Sequence, residues 1–260
     1  MLDLTGRRAL VMGVANDSSV AWGVTQSLTE AGAQLALSFL PDARGRSEAR
    51  VRRLAEPLGC ELFLPCDVRE DGGVEGLFAA LGERWGALDI LVHSIAAART
   101  ADLAGEFSAV SREGFSFANE VSCYSLLAAA RGARPLMAGR PGSIVTVSYL
   151  GSQRAIANYN VMGVAKAALE AAVRYLALEC GPTGLRVNAV SPGPIETLSS
   201  SVIAGFPEMM ARAAAQSPLR RNVTTREVGD AVAFLCSDLA RGITGQVLYV
   251  DSGFNITAGV

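Results

Sequence analysis

The sequence predicts an α/β fold: a doubly wound, seven-stranded parallel sheet with helices on both faces. Short apolar runs alternate with longer amphipathic segments from one end of the 260 residues to the other. Half of the residues are hydrophobic and only 6% are aromatic, which is typical of strands that are buried on both sides. No repeat, low-complexity tract or linker-like stretch divides the chain, so we expect one domain over residues 1–260.

The elements follow one another in strict alternation. The predicted strands are 7–13, 33–39, 61–67, 88–94, 142–148, 185–191 and 246–251. The predicted helices are 20–31, 44–57, 71–86, 111–138, 158–180, 207–215 and 225–236. This order favours a parallel sheet, because each parallel crossover lays a helix over one face. In such a Rossmann-like sheet, ligands bind beyond the carboxyl ends of the strands, so the functional motifs are expected there.

Composition excludes several classes of function. A formal charge of −2 gives no reason to expect nucleic acid or an anionic membrane as a partner. No apolar run approaches the roughly 20 residues that span a bilayer, and the first residues do not resemble a signal peptide. The five cysteines form no CxxC pair, which favours buried thiols in a reducing cytoplasm. With a single histidine, no metal site is expected.

The first predicted strand ends in a turn of small residues, GVANDSSVAWG (13–23), before a helix begins. A turn of this kind at a helix N-terminus offers free backbone N–H groups and the positive end of the helix dipole, which suit a pyrophosphate. The turn lacks the GxGxxG spacing, however. A purely structural turn is therefore the alternative interpretation.

Two later strands also end in residues of interest. CDV (66–68) closes the third strand, where Asp67 could face an adenine ring or instead cap the next helix. HSI (93–95) closes the fourth strand, beside the place for a nicotinamide. His93 ends an apolar strand, so we expect it to be a packed, neutral histidine and not a catalyst.

Lys166 is the single lysine in a chain with 22 arginines, and it follows Tyr159 by seven residues in a predicted helix. Almost two helical turns separate them, so both side chains should lie on one face, about 10 Å apart along the axis. A nearby ammonium would favour the phenolate and stabilise negative charge on an oxygen held by the phenol. It could also reach ribose hydroxyls, where a planar guanidinium fits differently. A solvated helix residue is the alternative.

The motifs GVANDSSVAWG, CDV, HSI, SYLG…NYNVMGVAK and SPGPIETL, in this order and spacing, resemble the enoyl-[acyl-carrier-protein] reductases. These enzymes form a divergent branch of the short-chain dehydrogenase/reductases in type II fatty-acid synthesis. The resemblance covers essentially the whole chain. Its most specific element is Tyr-x6-Lys, since carbonyl-reducing relatives carry Tyr-x3-Lys and this chain has Gly163 four residues after Tyr159.

The resemblance implies a role for each matching residue. The pyrophosphate and adjoining ribose would be held by Gly13, Ala15, Ser19 and Val20, and the adenine by Asp67 and Val68. Ile95 and Lys166 would contact the nicotinamide ribose, and Ile195 and Thr197 the carboxamide and phosphates. Ser94 would also bind the cofactor. Tyr159 would hydrogen-bond the thioester carbonyl. Tyr149 would be a second active-site tyrosine, and Ala98 would border a roomy acyl pocket.

The implied reaction is reduction of the trans-2 double bond of an enoyl thioester by hydride from a nicotinamide cofactor. NADH is favoured, and NADPH stays open because Arg44 and Arg46 follow Leu40-Pro41 at the end of the second strand. The resemblance further implies a cytoplasmic homotetramer with a substrate-binding segment near 197–215. Many relatives carry basic residues in that segment, but 198–211 contain neither Lys nor Arg, so the thioester carrier is either acyl carrier protein or coenzyme A.

Two other functions compete with this interpretation. One is a carbonyl-reducing dehydrogenase that acts on 3-ketoacyl thioesters, against which Tyr-x6-Lys argues. The other is a catalytically silent, nucleotide-binding regulator on the same fold, against which the intact Tyr159 and Lys166 argue.

Overall fold

The computed structural model describes residues 2–197, 200 and 203–257. Seven parallel strands form one sheet in the order β3-β2-β1-β4-β5-β6-β7, which confirms the predicted fold. The strands are β1 (Arg8–Met12), β2 (Gln34–Phe39), β3 (Leu62–Pro65), β4 (Ile90–His93), β5 (Gly142–Val147), β6 (Leu185–Pro192) and β7 (Val247–Val250). The direction of winding reverses between β1 and β4, and this switch point opens a crevice at the carboxyl edge.

The helices lie close to their predicted positions. They are α1 (Val20–Glu30), α2 (Arg46–Ala55), α3 (Asp71–Trp85), α4 (Arg112–Asn119), α5 (Ser125–Leu136), α6 (Asn160–Cys180), α7 (Phe206–Gln216) and α8 (Thr225–Cys236). Residues 198, 199, 201 and 202 of the expected substrate-binding segment lie outside the described residues.

Two of the helix predictions need correction. The helix predicted over 111–138 is divided by a π-helical turn, Glu120–Tyr124, between α4 and α5. The helix predicted from residue 158 begins at Asn160, so Tyr159 is its N-cap residue and not part of its first turn. Positive φ angles at Asn158 (60°) and Asn160 (27°) turn the chain sharply on either side of Tyr159.

Alternate residues of each strand feed two separate cores, as the period of a strand requires. Ala9 and Val11 of β1 pack with α1, α2 and α8 on one face of the sheet. Leu10 and Met12 pack with α3, α5 and α6 on the other. Since each fully buried large aliphatic side chain contributes about 1.5–3 kcal/mol, these two cores hold the carboxyl edge in place.

Helix α6 presents an unusual inner face. Its buried stripe at helical spacing consists of Val161, Met162, Ala165, Lys166, Leu169, Glu170, Val173, Leu176, Ala177 and Cys180. Lys166 and Glu170 stand out in this stripe, because Lys and Glu are almost never fully buried unless they are paired. The stripe therefore places an ammonium and a carboxyl group one turn apart, beneath the carboxyl edge of the sheet.

The cysteines are free thiols, as the sequence predicts. Cys60, Cys66, Cys180 and Cys236 are buried, and Cys123 is half-buried in the π-helical turn. Burial raises the pKa of the Cys66 thiol to about 11, so it stays protonated at neutral pH. In the described part of the chain, no helix combines the length and the hydropathy that a bilayer crossing requires.

Candidate active site

Two adjoining cavities open at the carboxyl edge of the sheet. The first, of about 380 Å³, runs from the turn after β1 across the ends of β2 and β3. The second, of about 320 Å³, lies between the segment after β4, the start of α6 and the start of α7. The two cavities share the wall residues Val20, Ala96, Ala97, Val147, Lys166 and Thr197. A ligand in one cavity therefore borders a ligand in the other.

The turn after β1 accepts only glycine at position 13. Gly13 has a φ of +100°, and a Cβ atom there would lie 2.1 Å from the Ser94 carbonyl oxygen. Ser19 caps α1, because its Oγ accepts a hydrogen bond from the Trp22 N–H (3.3 Å) and donates one to the Asn16 carbonyl (2.7 Å). The N-terminus of α1 thus faces the first cavity, and the absence of a side chain at Gly13 lets a ligand come close to the backbone. Such a site suits a pyrophosphate.

The far end of the first cavity is lined by Asp67, Val68 and Arg69, together with Phe39 and Leu40. Arg69 Nε donates to Asp67 Oδ1 at 2.8 Å, and this hydrogen bond holds the pKa of the Asp67 carboxyl below its usual value. The alternative that Asp67 caps the next helix is wrong, because α3 is preceded by Glu70. Apolar walls with a carboxylate at one side suit a flat, hydrogen-bonding ring.

His93 is a packed, neutral residue, as the sequence predicts. Its ring nitrogens lie 3.0 Å from Thr146 Oγ1 and 2.8 Å from Ser125 Oγ, and the side chain is fully buried. Burial lowers the pKa of the imidazole to about 3, and the charge of Lys166 lowers it further. It lines neither cavity, so it has no catalytic position.

The two tyrosines meet in the second cavity. Their rings pack edge to face, with centroids 4.9 Å apart and planes at 65°, which is a favourable aromatic arrangement. Tyr149 OH also lies 3.6 Å from Met209 Sδ and so joins this pair to α7. Burial raises the pKa of Tyr149 to about 12 and raises that of Tyr159 further, with Tyr149 adding to the second shift. Both phenols are therefore neutral hydrogen-bond donors at physiological pH.

Lys166 lies at the boundary between the two cavities. Its side chain is almost fully buried, and Nζ donates a hydrogen bond of 2.6 Å to the Val147 carbonyl. The alternative of a solvated helix residue is thus wrong. Burial lowers the pKa of Lys166 to about 8, against the opposing effect of Glu170. The pKa of Tyr159 is raised by burial and by the neighbouring Tyr149, so the influence of the ammonium on this phenol stays a prediction.

The position four residues after Tyr159 is closely packed. A Cβ atom at Gly163 would lie 2.9 Å from the Gly151 carbonyl oxygen, so the turn carrying Gly151 packs directly on the α6 backbone. A lysine four residues after Tyr159 has no room in this packing. The next inward positions along the helix are 165 and 166, and the ammonium occurs at the second of them.

The structure brings the residues predicted for the site together. The first cavity is lined by Gly13, Ala15, Ser19, Val20, Asp67, Val68, Ser94, Ile95, Lys166 and Thr197. The second is lined by Ala98, Tyr149, Tyr159, Lys166, Ile195 and Thr197. Their individual roles stay predictions.

Sequence reasoning missed several lining residues. Phe117 and Val121 border the first cavity from α4 and the π-helical turn. Met162 and Phe206 border the second, whose lining is mostly apolar. Nothing in the sequence distinguishes these residues from core residues, because apolar residues on helices usually belong to the core.

A doubly wound sheet with a cavity along its carboxyl edge, next to a second cavity that a tyrosine lines and a buried lysine borders, is typical of a nucleotide-dependent oxidoreductase of the short-chain dehydrogenase/reductase type. Residues 13–255 match the family model described as "Enoyl-(Acyl carrier protein) reductase". The chain belongs to this family, and the predicted resemblance is confirmed.

Individual relatives agree with this assignment. "Enoyl-[acyl-carrier-protein] reductase [NADH] FabI" of Nostoc sp. is 54% identical over 98% of this chain and 99% of that protein. The crystal structure of the enoyl-[acyl-carrier-protein] reductase (NADH) from Aquifex aeolicus superposes with a TM-score of 0.95 at 46% identity, covering 98% of each chain. That of the Bacillus cereus enoyl-acyl carrier protein reductase, with NADP+ and indole naphthyridinone, gives 0.95 at 45% identity, covering 99% of this chain and 100% of the other.

Proposed function

We propose that this protein is an NADH-dependent enoyl-[acyl-carrier-protein] reductase that reduces the trans-2 double bond of enoyl thioesters. The family match over residues 13–255 and the relatives at about half identity support the assignment. The observation that carries it is local: Tyr159 faces the second cavity, while Lys166 lies on the wall that both cavities share.

The first cavity fits a nicotinamide dinucleotide. The glycine cradle at residue 13, which a Cβ atom would fill, and the capped N-terminus of α1 suit a pyrophosphate. When bound there, the dinucleotide supplies the hydride for Cβ of the enoyl group. Lys166, at the end of the cavity, is placed to hold ribose hydroxyls with the donors that Val147 leaves free.

Tyr159 has the main part in stabilising the developing charge. As hydride reaches Cβ, negative charge develops on the thioester carbonyl oxygen. A neutral phenol with a raised pKa donates a hydrogen bond to that oxygen without first losing its own proton. A donor already in position in a site that excludes water costs no reorganisation during the reaction. Tyr149 braces the ring of Tyr159 by its edge-to-face contact.

The preference for NADH is supported by Asp42. This residue lies two positions after Leu40, which lines the first cavity. Its carboxylate accepts hydrogen bonds from the N–H groups of Arg44 (2.9 Å), Arg46 (3.3 Å) and Ser47 (2.6 Å). The pKa of Asp42 is held well below its usual value, chiefly by Ser47, so the group is an anion. The charge of Asp42 offsets part of the positive charge of Arg44 and Arg46, which weakens their attraction for a 2′-phosphate.

An absorbance assay at the nicotinamide band tests the function and the cofactor together. We expect crotonyl thioesters to oxidise NADH, and kcat/KM to be at least about tenfold higher with NADH than with NADPH, the discrimination that about 1.4 kcal/mol provides. Faster turnover of acetoacetyl thioesters would establish the carbonyl-reducing alternative. Binding of NADH with no oxidation by either thioester would establish the silent regulator.

The carrier of the acyl group is a separate part of the proposal. Residues 198–211 contain no Lys or Arg, and two arginines near the segment are engaged: Arg221 with Glu227, and Arg154 with backbone carbonyls of the C-terminal segment. We expect similar efficiency with carrier-linked and coenzyme A-linked substrates, and weak salt dependence between about 0.02 and 0.3 M. Glu208→Lys should increase carrier preference. A strong, salt-sensitive preference in the unmodified protein would place carrier docking on another surface.

A cytoplasmic homotetramer completes the proposal. The outer faces of α4, the π-helical turn and α6 expose large apolar side chains, which are typical of an interface: Phe115, Tyr124, Val164, Tyr175 and Leu178. We expect light scattering at micromolar concentration to give the mass of four chains. The mass of one chain would refute this part and leave the proposed reaction untouched.

A further inference from the structure

Glu170 is a buried carboxyl group for which the site described above has no role. It lies one helical turn after Lys166 on the inner stripe of α6, and its exposed fraction is only 4%. Burying a carboxyl group costs free energy unless hydrogen bonds and charge offset the loss of water. The hydrogen bonds and charged neighbours of Glu170 therefore indicate its function.

One oxygen of Glu170 carries most of its hydrogen bonds. Oε1 accepts from Ser148 Oγ and from Ser152 Oγ, both at 2.6 Å. Oε2 receives only a long contact, 3.5 Å, from Gln153 Nε2. Ser148 directly precedes Tyr149, and residues 150–152 form the helical turn that follows it. The carboxyl group thus ties the turn that carries Tyr149 to the helix that carries Lys166.

The groups that face Lys166 come from three elements. Glu170 lies on its own helix, Cys123 lies on the π-helical turn, and His93 ends β4. Burial raises the pKa of the Cys123 thiol, and His93 is neutral, so neither opposes a positive charge. The pKa of Tyr249, on β7, is raised by burial and by the charge of Glu170, which places this phenol among the groups near the carboxyl group. Among these groups, Glu170 is the only carboxyl group.

We propose that Glu170 is a positioning residue of the reductase site: it keeps Lys166 charged in its buried position and holds the turn of Tyr149 against α6. This inference rests on the proposed function. It assigns two effects to one carboxyl group, and the geometry lets them be separated, because the serines use Oε1 alone.

The charge effect has a defined sign. Burial lowers the pKa of Lys166 to about 8 and Glu170 raises it, so removing the carboxylate lowers it further. In such a variant, Lys166 loses its proton at a lower pH than in the unmodified protein. Functions that need the ammonium, cofactor binding among them, therefore weaken at a lower pH in a variant without that charge.

Glu170→Gln tests the charge, because the amide oxygen can still accept from both serines. We expect the alkaline limb of cofactor binding and of kcat/KM to move down by about half a pH unit or more, the scale of one nearby opposite charge. At pH 6 the variant should be close to the unmodified protein. Quenching of Trp22 fluorescence reports NADH binding without turnover, since Trp22 lies in the first turn of α1.

The double variant Ser148→Ala, Ser152→Ala is the matched control, because it removes the hydrogen bonds and keeps the charge. We expect its alkaline limb to stay in place, while kcat falls and KM for the acyl thioester rises at every pH. Should Glu170→Gln not fold, Glu170→Asp keeps the charge on a shorter side chain and should behave as the serine variant does. A shifted limb in Glu170→Asp would overturn the inference.

The inference and the proposed function can fail separately. An unchanged pH profile in folded Glu170→Gln overturns the inference, even when enoyl reduction is normal. An unmodified protein that reduces no enoyl thioester overturns the proposed function, and the pH dependence of NADH binding still decides the role of Glu170.

Discussion

Helices α2 and α6 each carry an acid and a base four residues apart, but in opposite surroundings. In α2, Arg52 Nε and Glu48 Oε1 form an ion pair at 2.8 Å, with side chains 40% and 41% exposed. In α6, Lys166 and Glu170 are each only 4% exposed. Their hydrogen bonds go to other groups, the Val147 carbonyl and the two serines.

This difference shows that the sequence spacing of an acid and a base does not tell whether the pair is exposed or buried. An exposed pair at this spacing contributes about 0.3–0.5 kcal/mol and is screened by salt. A buried charge costs several kcal/mol unless it is satisfied, and this cost is typically found at functional sites. The charges of α2 are exposed to solvent, whereas those of α6 are buried and one of them, Lys166, lines both cavities.

The largest effect is expected for Lys166→Ala. It removes the ammonium at the shared wall and leaves Glu170 buried without its neighbour, so kcat/KM should fall about 10³-fold through weaker cofactor binding and slower turnover together. Lys166→Arg should restore only part of this loss, because a guanidinium has a different geometry. Steady-state kinetics and NADH titration measure both. Full activity in the alanine variant would show that the buried charge of α6 matters no more for the reaction than the exposed charges of α2.

Tyr159→Phe should come next. It removes the hydrogen-bond donor at the N-cap of α6 and keeps the ring against Tyr149, so kcat should fall about 10²-fold. NADH affinity should stay within about twofold, since the first cavity is not lined by Tyr159. An unchanged kcat would transfer the donor role to Tyr149 or to the cofactor itself.

Gly163→Ala tests the close packing four residues after Tyr159. The new Cβ atom would lie 2.9 Å from the Gly151 carbonyl oxygen, so the free energy of unfolding should fall by about 1–3 kcal/mol. Urea denaturation measures this change. The exposed Ala167, one turn further along the same helix, gives a control in Ala167→Ser. Equal stability of the Gly163 variant and that control would contradict the steric account.

The smallest effect is expected in α2. Glu48→Gln removes the exposed ion pair with Arg52, so the unfolding free energy should change by no more than about 0.5 kcal/mol, and kinetics should not change. Denaturation at low and high salt separates the screened part. A loss well above about 1 kcal/mol would show that exposure does not distinguish the two helices.

Much of the fold follows from the order of apolar runs. The run 88–94 contains β4 (Ile90–His93), and the run 142–148 contains β5 (Gly142–Val147). In the site, Lys166 stands out in the sequence because it is the single lysine among 22 arginines. Local chain chemistry was enough in these cases, because a strand end and a rare residue type are both visible in the sequence.

What could not be predicted depends on tertiary contacts. Tyr159 precedes α6 because the chain turns sharply at Asn158 and Asn160, which have positive φ angles. Asparagine tolerates a positive φ, but its presence in a sequence does not predict one. The raised pKa of the phenol arises from burial by residues far along the chain. The role of Glu170 had one available signal, its place four residues after Lys166, but α2 shows that this signal alone is ambiguous.

The π-helical turn between α4 and α5 has a consequence for how this chain can change in length. Ser122 Oγ bonds both the N–H (3.1 Å) and the carbonyl (3.2 Å) of Ala97, and Ser125 bonds His93. Loss of one residue would convert the turn to regular α-helix and rotate one half against the other by about 100°. One of these two serines would then point elsewhere. Replacements are therefore tolerated along this helix far better than insertions or deletions.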